Sequence, residues 1–264
     1  MLRPRIIPCL LIHKGGLVKT QAFKAPKYVG DPINAVKIFN EKETDELVVL
    51  DIDATVNRAE PNYGLIAKLA AECRMPLCYG GGVSTAEQAA RIIDLGVEKV
   101  AVSAAAVADP SLLTRISEAI GRQSVVAVID VRRKTGLFAK GYELCTHNGK
   151  TVHKLDPVAF AKTLQEAGAG EIVVNSIDRD GEMSGYDLPL AKQLHAALRV
   201  PLTVLGGAGS LDDVKALLSA CGLVGAAAGS LFVFKGKYRA VLINYPTPQQ
   251  KDELCRASLA ASRV

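Results

Sequence analysis

The chain has 264 residues, of which 49% are hydrophobic, 22% charged and only 5% aromatic, with no Trp. That length suits one α/β barrel of about 250 residues, and the scarcity of aromatic side chains argues against base-stacking or sugar-platform surfaces. The net charge of +5 and pI near 8.8 suit an anionic small molecule, while no Lys/Arg run is long enough to track a nucleic acid.

Six cysteines (Cys9, Cys73, Cys78, Cys145, Cys221, Cys255) contain no C-x-x-C pair. Several lie in apolar stretches, which reads as buried reduced thiols of a cytoplasmic protein. The chain runs from Met1 straight into an apolar strand, so no signal peptide is expected, and no apolar run is long enough to span a bilayer.

In chain order, short β-branched runs alternate with longer helical patterns. The predicted strands are Ile6–Ile12, Leu47–Ile52, Leu77–Tyr79, Val100–Ser103, Val125–Asp130, Ile172–Ser176, Leu202–Leu205 and Gly225–Ala228. Most are uniformly apolar, as in parallel strands buried on both faces. Between them, Asp31-Pro32, Asp109-Pro110 and Asp156-Pro157 each offer an N-cap carboxylate followed by proline at the first helical position. Ser84-Thr85-Ala86-Glu87 reads as a capping box, and Gly96, Gly121, Gly168 and Gly222 read as left-handed helix caps.

Eight such units admit a closed barrel or a long doubly wound sheet. An internal repeat decides between them. Met75-Pro76-Leu77-Cys78-Tyr79-Gly80-Gly81-Gly82 matches Val200-Pro201-Leu202-Thr203-Val204-Leu205-Gly206-Gly207 at an offset of 125 residues, and Glu46/Glu171 and Asp53/Asp178 share that offset. The expectation is one (βα)8 TIM-barrel domain over residues 1–264, with half-barrels of about 1–122 and 123–245 and a C-terminal tail, 246–264.

In such a barrel the site forms where the strands end. Gly80-Gly81-Gly82 and Gly206-Gly207-Ala208-Gly209 follow strands three and seven and lead into helices with Ser84 and Ser210 as expected caps. Glycines there let backbone N–H groups approach a phosphate, and Ala228-Gly229-Ser230 after strand eight would complete one site. Two glycine loops across the mouth suit a long substrate with a phosphate at each end. Asp51, Asp53, Asp130, Asp178 and Asp180 fall at strand ends, where most carboxylates cap helices or tie loops. Asp130 stands apart because it ends a fully apolar strand, which suits proton transfer. The loop after strand one carries Lys14, Lys19, Lys24 and Lys27 and is expected to be a mobile clamp over the mouth. His13, His147, His153 and His195 lack metal-ligand spacing, so no metal is expected. At the opposite end, Arg5, Glu46, Lys99 and Glu171 each precede a strand. They would form a ring of alternating charge, either a structural ion-pair ring or a gate for a small neutral molecule.

The chain resembles the cyclase subunit of imidazole glycerol phosphate synthase over about residues 3–245. The motifs that carry the likeness are Arg5-Ile6-Ile7-Pro8-Cys9-Leu10, Asp45-Glu46-Leu47, Gly80-Gly81-Gly82, Ser176-Ile177-Asp178-Arg179-Asp180-Gly181, Ser184-Gly185-Tyr186-Asp187 and Gly206-Gly207-Ala208-Gly209. The resemblance implies a barrel fed with ammonia by a glutaminase subunit docked on its N-terminal face. Arg5, Glu46, Lys99 and Glu171 fall on the family's ammonia gate, and Asp130 on one of its two catalytic aspartates. Together with the glycine loops, the likeness gives candidate substrate and phosphate contacts at Lys19, Asp51, Gly81, Gly82, Ser103, Asn175, Asp180, Gly181, Gly206, Gly207, Gly229 and Ser230.

The departures from the pattern are specific. Leu11 stands where the cyclase has its other aspartate, Ser103-Ala104 replace Asn-Thr, Leu205 replaces Ser and Asn175 replaces Thr. In Cys9-Leu10-Leu11-Ile12-His13, in Pro26–Ala35 and in Ala228–Phe234 the chain is similar to a branch used in surface-polysaccharide synthesis, whose members help turn an acetamido group on a sugar into an acetamidino group. The resemblance therefore implies a synthase subunit acting on a phosphorylated or nucleotide-linked substrate, with no resident cofactor and ATP as a candidate activator of the amide. No Cys-His-Glu glutaminase constellation is evident, so the glutaminase is expected on a separate chain. The alternatives are a genuine histidine-pathway cyclase, against which Leu11 weighs, and a non-catalytic barrel that docks and activates a glutaminase.

Overall fold

A computed structural model describes residues 3–136 and 139–261. Residues 1–2, 137–138 and 262–264, which belong to the domain expected from sequence, lie outside the described residues. Along the chain, β1 (Arg5–His13) is followed by β2 (Gly16–Gln21), β3 (Lys24–Gly30) and α1 (Pro32–Glu41). The order continues through β4 (Leu47–Asp51), α2 (Tyr63–Glu72), β5 (Leu77–Gly80), α3 (Ala86–Asp94), β6 (Lys99–Val102), α4 (Ala104–Ala108) and α5 (Ser111–Ile120). The second half begins at β7 (Val125–Arg133) and runs through β8 (Tyr142–Thr146), β9 (Thr151–His153), α6 (Pro157–Glu166), β10 (Glu171–Ser176) and α7 (Leu188–Ala197). It ends with β11 (Leu202–Leu205), α8 (Leu211–Cys221), β12 (Gly225–Ala228), α9 (Ser230–Val233) and α10 (Pro248–Ala261).

Eight parallel strands close in the order β1-β4-β5-β6-β7-β10-β11-β12 and back to β1. The (βα)8 barrel and all eight strand positions follow the sequence reading. Register carries the two-half repeat further. Leu11 pairs with Leu50, and Asp130 pairs with Asn175; Leu50 and Asn175 are themselves related by the 125-residue offset. Leu11 and Asp130 therefore hold equivalent places.

Apolar side chains on the outer faces of the strands pack under the helices, with Phe39, Ile66, Leu113, Leu164 and Leu217 buried there. Inside the barrel a second cluster fills the axis: Ile7, Cys9, Val48, Cys78, Ala101, Val126, Val128, Val173, Leu205 and Ala227. Full burial of each large aliphatic side chain contributes about 1.5–3 kcal/mol, which holds the barrel closed around an apolar axis.

Asp31 and Asp156 cap α1 and α6 through the amides of Asn34 and Ala159, with proline next, as expected. Two caps differ from expectation. Thr85, not Ser84, caps α3, because Thr85 accepts from the Gln88 amide while Ser84 bonds the Gln88 side chain. Asp109 accepts from the Ser111 amide and hydroxyl and so stands one residue before the cap position of α5.

The largest correction concerns residues 14–30. They form no mobile loop but an antiparallel ribbon, β2/β3, that continues β1 and folds over the mouth. Leu17, Val18, Lys19 and Thr20 are all buried in it, and the Ala22 amide donates to the Asp180 carbonyl oxygen (2.9 Å). A second hairpin, β8/β9, rises from β7 and was not expected from sequence.

Candidate active site and the ring beneath it

At the N-terminal end of the strands, four side chains form a closed ring. Arg5 donates to Glu46 and, through Nη2, to Glu171 Oε1 at 2.8 Å. Lys99 Nζ reaches Glu46 Oε1 at 2.8 Å and Glu171 Oε2 at 3.0 Å. Thr203 Oγ1 donates to Glu171 Oε1 at 2.6 Å. Burial alone would lower the Arg5 pKa, but hydrogen bonds and charge from Glu171 and Glu46 outweigh it and hold the guanidinium above its ordinary value. Burial would raise Glu171, yet Arg5, Lys99 and Thr203 hold it below its ordinary value. All four ring residues named from sequence come together.

Above the ring the axis is apolar. Val48, Cys78, Val126, Val173 and Thr203, then Cys9, Leu50, Ala101, Val128, Leu205 and Ala227, surround a void of about 10 Å³, roughly the space one water-sized molecule needs.

At the other end of the axis opens a cavity of about 540 Å³. Leu11, Leu50, Val128, Leu205 and Asp130 line it together with the axial Cys9 and Ala101. Asn175 Nδ2 donates to Asp130 Oδ1 at 3.1 Å. Burial, only partly offset by that bond, pushes the Asp130 carboxyl up to about 7. Its place at the end of the apolar run Val125–Ile129 makes it legible in the sequence, although β7 itself continues through Asp130 to Arg133.

The β2/β3 ribbon brings Lys19 into the cavity, where its ammonium donates to the Cys9 carbonyl oxygen. Burial holds Lys19 below its ordinary pKa, against the pull of Cys9 and Asp180. Asp180 accepts from Thr20 Oγ1 (2.6 Å) and from the Phe23 amide (3.2 Å), and burial raises its pKa against those bonds.

The first-half loops line the cavity directly, with Asp51, Gly81, Gly82, Ser84 and Ser103 all facing it. Gly81 needs its freedom. Its φ is +121°, and an added β-carbon would lie 2.4 Å from the Asp51 carbonyl oxygen. Asp51 itself receives the amides of Asp53 and Ala54.

Asn175, Asp180 and Gly229 also line the cavity, whereas Gly181, Gly206, Gly207 and Ser230 stand outside its wall. In the second half the glycine loop is packed against backbone. The Gly185 amide donates to the Gly207 carbonyl oxygen (2.9 Å), and a β-carbon on Gly206, at φ +96°, would stand 2.7 Å from the Ser176 carbonyl oxygen.

Asp53 and Asp178 are ties rather than catalytic groups. Each accepts the amide that follows the Leu11 or Asp130 position by three residues, Lys14 in one half and Arg133 in the other. Asp53 also bonds His13 Nδ1 at 2.7 Å.

The structure adds residues that sequence reasoning missed. Arg58, His147 and Asn148 line the rim, with Asn148 Nδ2 holding the β8/β9 hairpin to the Ile52 carbonyl oxygen at 3.0 Å. The Asn148-Gly149 dipeptide was the available turn signal. Lys14, Lys24 and Lys27, expected as clamps, are absent from the cavity wall. Among the described residues, no group of three or more His, Cys, Asp or Glu could hold a metal ion, and no helix is long and apolar enough to cross a membrane.

A family model described as "Histidine biosynthesis protein" matches residues 5–239. The chain is 57% identical over 251 residues to the "Putative imidazole glycerol phosphate synthase subunit hisF3" of Vibrio vulnificus, an alignment that spans 95% of this chain and 96% of the relative. It is 52% identical over 252 residues to the "Putative imidazole glycerol phosphate synthase subunit hisF2" of Pseudomonas aeruginosa, across 96% of this chain and 99% of that one. Identity to the "Imidazole glycerol phosphate synthase subunit HisF" of Lacticaseibacillus casei is 39% over 260 residues, across 98% and 99%.

Proposed function

The chain belongs to the histidine biosynthesis protein family, in its imidazole glycerol phosphate synthase HisF-subunit group, and from that premise we propose that it is an ammonia-using synthase subunit that forms an acetamidino group on a nucleotide-linked sugar. One observation carries the reading. The charged ring and the apolar axis above it are complete, while the floor they lead to has Leu11 and Leu205 at positions where the cyclase pattern has polar groups.

In this reading a glutaminase docks on the ring face and releases ammonia there. An apolar passage favours neutral ammonia over ammonium, because a bare charge is costly to desolvate. Ammonia's lone pair attacks the acyl carbon of the acetamido group. Asp130, near pH 7 both a competent acid and a competent base, protonates the carbonyl oxygen as ammonia adds, takes a proton from the added nitrogen, and passes it to the hydroxyl group so formed. The C–O bond breaks as C=N forms, and the oxygen leaves as water, or as phosphate if ATP has activated the amide. Lys19 and the glycine loop at Gly81 and Gly82 hold the anionic part of the substrate. Closure of the floor by leucines keeps bulk water from competing with ammonia.

The test is incubation of the chain and ammonium, with and without ATP and a glutaminase partner, with acetamido sugar nucleotides. Replacement of O by NH lowers the product mass by about one unit, and no such product under any of these conditions would refute the reading. The second reading, a histidine-pathway cyclase, is favoured by the names of the relatives. Leu11 opposes it, since loss of one acid–base group costs about 10²–10⁴-fold in rate. Rescue of a cyclase-deficient histidine auxotroph would decide for it.

A further inference from the structure

The tip of the β8/β9 hairpin spans the mouth of the barrel. Asn148 Nδ2 is bonded to the Ile52 carbonyl oxygen, and a β-carbon on Gly149 would touch Ile177 Cδ1 and Phe23 Cδ2 at 3.6 Å. Ile52 follows β4 and Ile177 follows β10, and these strands stand opposite each other, with β5, β6 and β7 between them on one side and β11, β12 and β1 on the other. His147 is the first residue of this tip and lines the cavity beneath it.

Behind His147 runs a chain of hydrogen bonds. Its Nδ1 lies 3.0 Å from Thr146 Oγ1, and the same oxygen lies 2.9 Å from His153 Nε2. Thr146 is 1% exposed, whereas His153 is half-buried and His147 is exposed. That leaves His147 Nε2 as the nitrogen open to a ligand. A threonine hydroxyl has one proton, so it donates to one imidazole while it accepts from the other. The chain therefore has two settings, with the His147 proton on Nε2 in one and on Nδ1 in the other.

The proposed reaction needs a proton from outside. When water is the leaving group, neutral ammonia and an amide give an amidine, which is a strong base and leaves protonated. Each turnover then draws one proton from solvent, and Asp130, which ends the cycle as it began, supplies none. We infer that His147, positioned by Thr146 and His153, is a second acid–base group of this site and carries that proton inward. The His147 Nε2–H bond breaks and its proton goes to the lone pair of the amidine nitrogen. The Thr146 hydroxyl passes its proton to His147 Nδ1 and takes the one on His153 Nε2, while His153 Nδ1 takes a proton from solvent. This role rests on the amidination reading for the group that receives the proton. The relay itself is tested on the chain alone, so the two can fail separately.

The full chain, labelled with ¹⁵N-histidine, is titrated by NMR through neutral pH, where imidazoles change charge. Titration of His153 should switch the His147 tautomer, read from its two ¹⁵N shifts, and Thr146→Val should remove that switch. The other ionisable groups on the cavity wall are Lys19, Asp51, Arg58, Glu60, Asp130 and Asp180, with the Cys9 thiol. The hairpin adds Glu143, Cys145, Lys150 and Lys154, and Asp53 and Asp178 adjoin the residues it touches. All of them remain in Thr146→Val, so a switch lost in that variant belongs to the hydroxyl. Identical His147 curves in the unaltered protein and in Thr146→Val would overturn the inference, whatever the activity.

With ammonium, an acetamido sugar nucleotide and no ATP, His147→Gly should lower kcat about 10²-fold and leave KM nearly unchanged. Glycine suits this position, where φ is +54°, and the space it opens admits imidazole from solution, which should restore most of the rate. A full rate in His147→Gly, a loss that imidazole does not restore, or a product that forms only with ATP would overturn the catalytic role. If the unaltered protein forms no amidine, the amidination reading falls, and the tautomer switch alone decides whether the relay stands.

Discussion

Glu171→Gln tests the physical basis of the ring most directly. Glu171 accepts four hydrogen bonds: from Arg5 Nη1 (3.2 Å) and Nη2 (2.8 Å), Lys99 Nζ (3.0 Å) and Thr203 Oγ1 (2.6 Å). The substitution keeps the shape, removes the charge and turns a donor toward two cations. Removing one partner of a buried ion pair costs about 3–5 kcal/mol. Arg5 and Lys99 retain 28% and 18% of their side-chain surface and keep Glu46 as a partner, so they relax toward solvent and the cost should fall near the lower figure. Equilibrium urea unfolding at neutral pH measures it. With a slope of about 3 kcal/mol per molar urea, a loss of about 3 kcal/mol moves the midpoint down by about 1 M.

The pH dependence has a defined sign. Glu171 is held below its ordinary pKa, so its contribution is fully present above the ordinary carboxylate range and is lost as pH falls through the folded value. The gap between wild type and variant should therefore narrow in acid. A midpoint shift under about 0.3 M at neutral pH, or a gap that persists unchanged in acid, would refute the claim that the ring's partly buried charges compensate one another.

Three further outcomes are expected. Asp130→Asn should lower ammonia-dependent product formation by about 10²–10⁴-fold, measured by mass spectrometry, and the wild-type rate profile should bend near pH 7, where the carboxyl titrates. Gly81→Ala should destabilise the fold by about 2 kcal/mol or more in thermal melts, since it forces a side chain onto a positive-φ site and against the Asp51 carbonyl oxygen. Asp187→Ala should cost about 2 kcal/mol in urea unfolding: Asp187 is 2% exposed, caps α7 through the Leu190 amide, and accepts from Tyr142 and Arg133, so its loss removes the cap and both side-chain ties.

Local pattern and internal repetition determined much of this molecule from sequence. Each barrel strand is buried on both faces, so it reads as an unbroken apolar run, and the 125-residue offset follows from two halves closing one barrel. The ring was legible for the same reason, because Arg5, Glu46, Lys99 and Glu171 each sit at the start of a strand whose end is set by its neighbours. Asp130 announced itself as a carboxylate at the end of a run where nothing else is polar.

What the tertiary structure alone decided lies in segments whose burial comes from distant partners. The β2 side chains Leu17 to Thr20 are covered on both faces only once the ribbon folds across the mouth, and β3 is largely exposed, so neither shows an alternating pattern. That folding turns Lys19 from a solvated charge into a buried one beside the Cys9 carbonyl. The β8/β9 hairpin likewise carries His147 and Asn148 to the rim through a bond to Ile52, 96 residues away. The two glycine loops are alike in sequence, yet one lines the cavity and the other packs against the Gly185 backbone. Which of two like loops faces open space depends on what folds down beside it, and no residue within either loop records that.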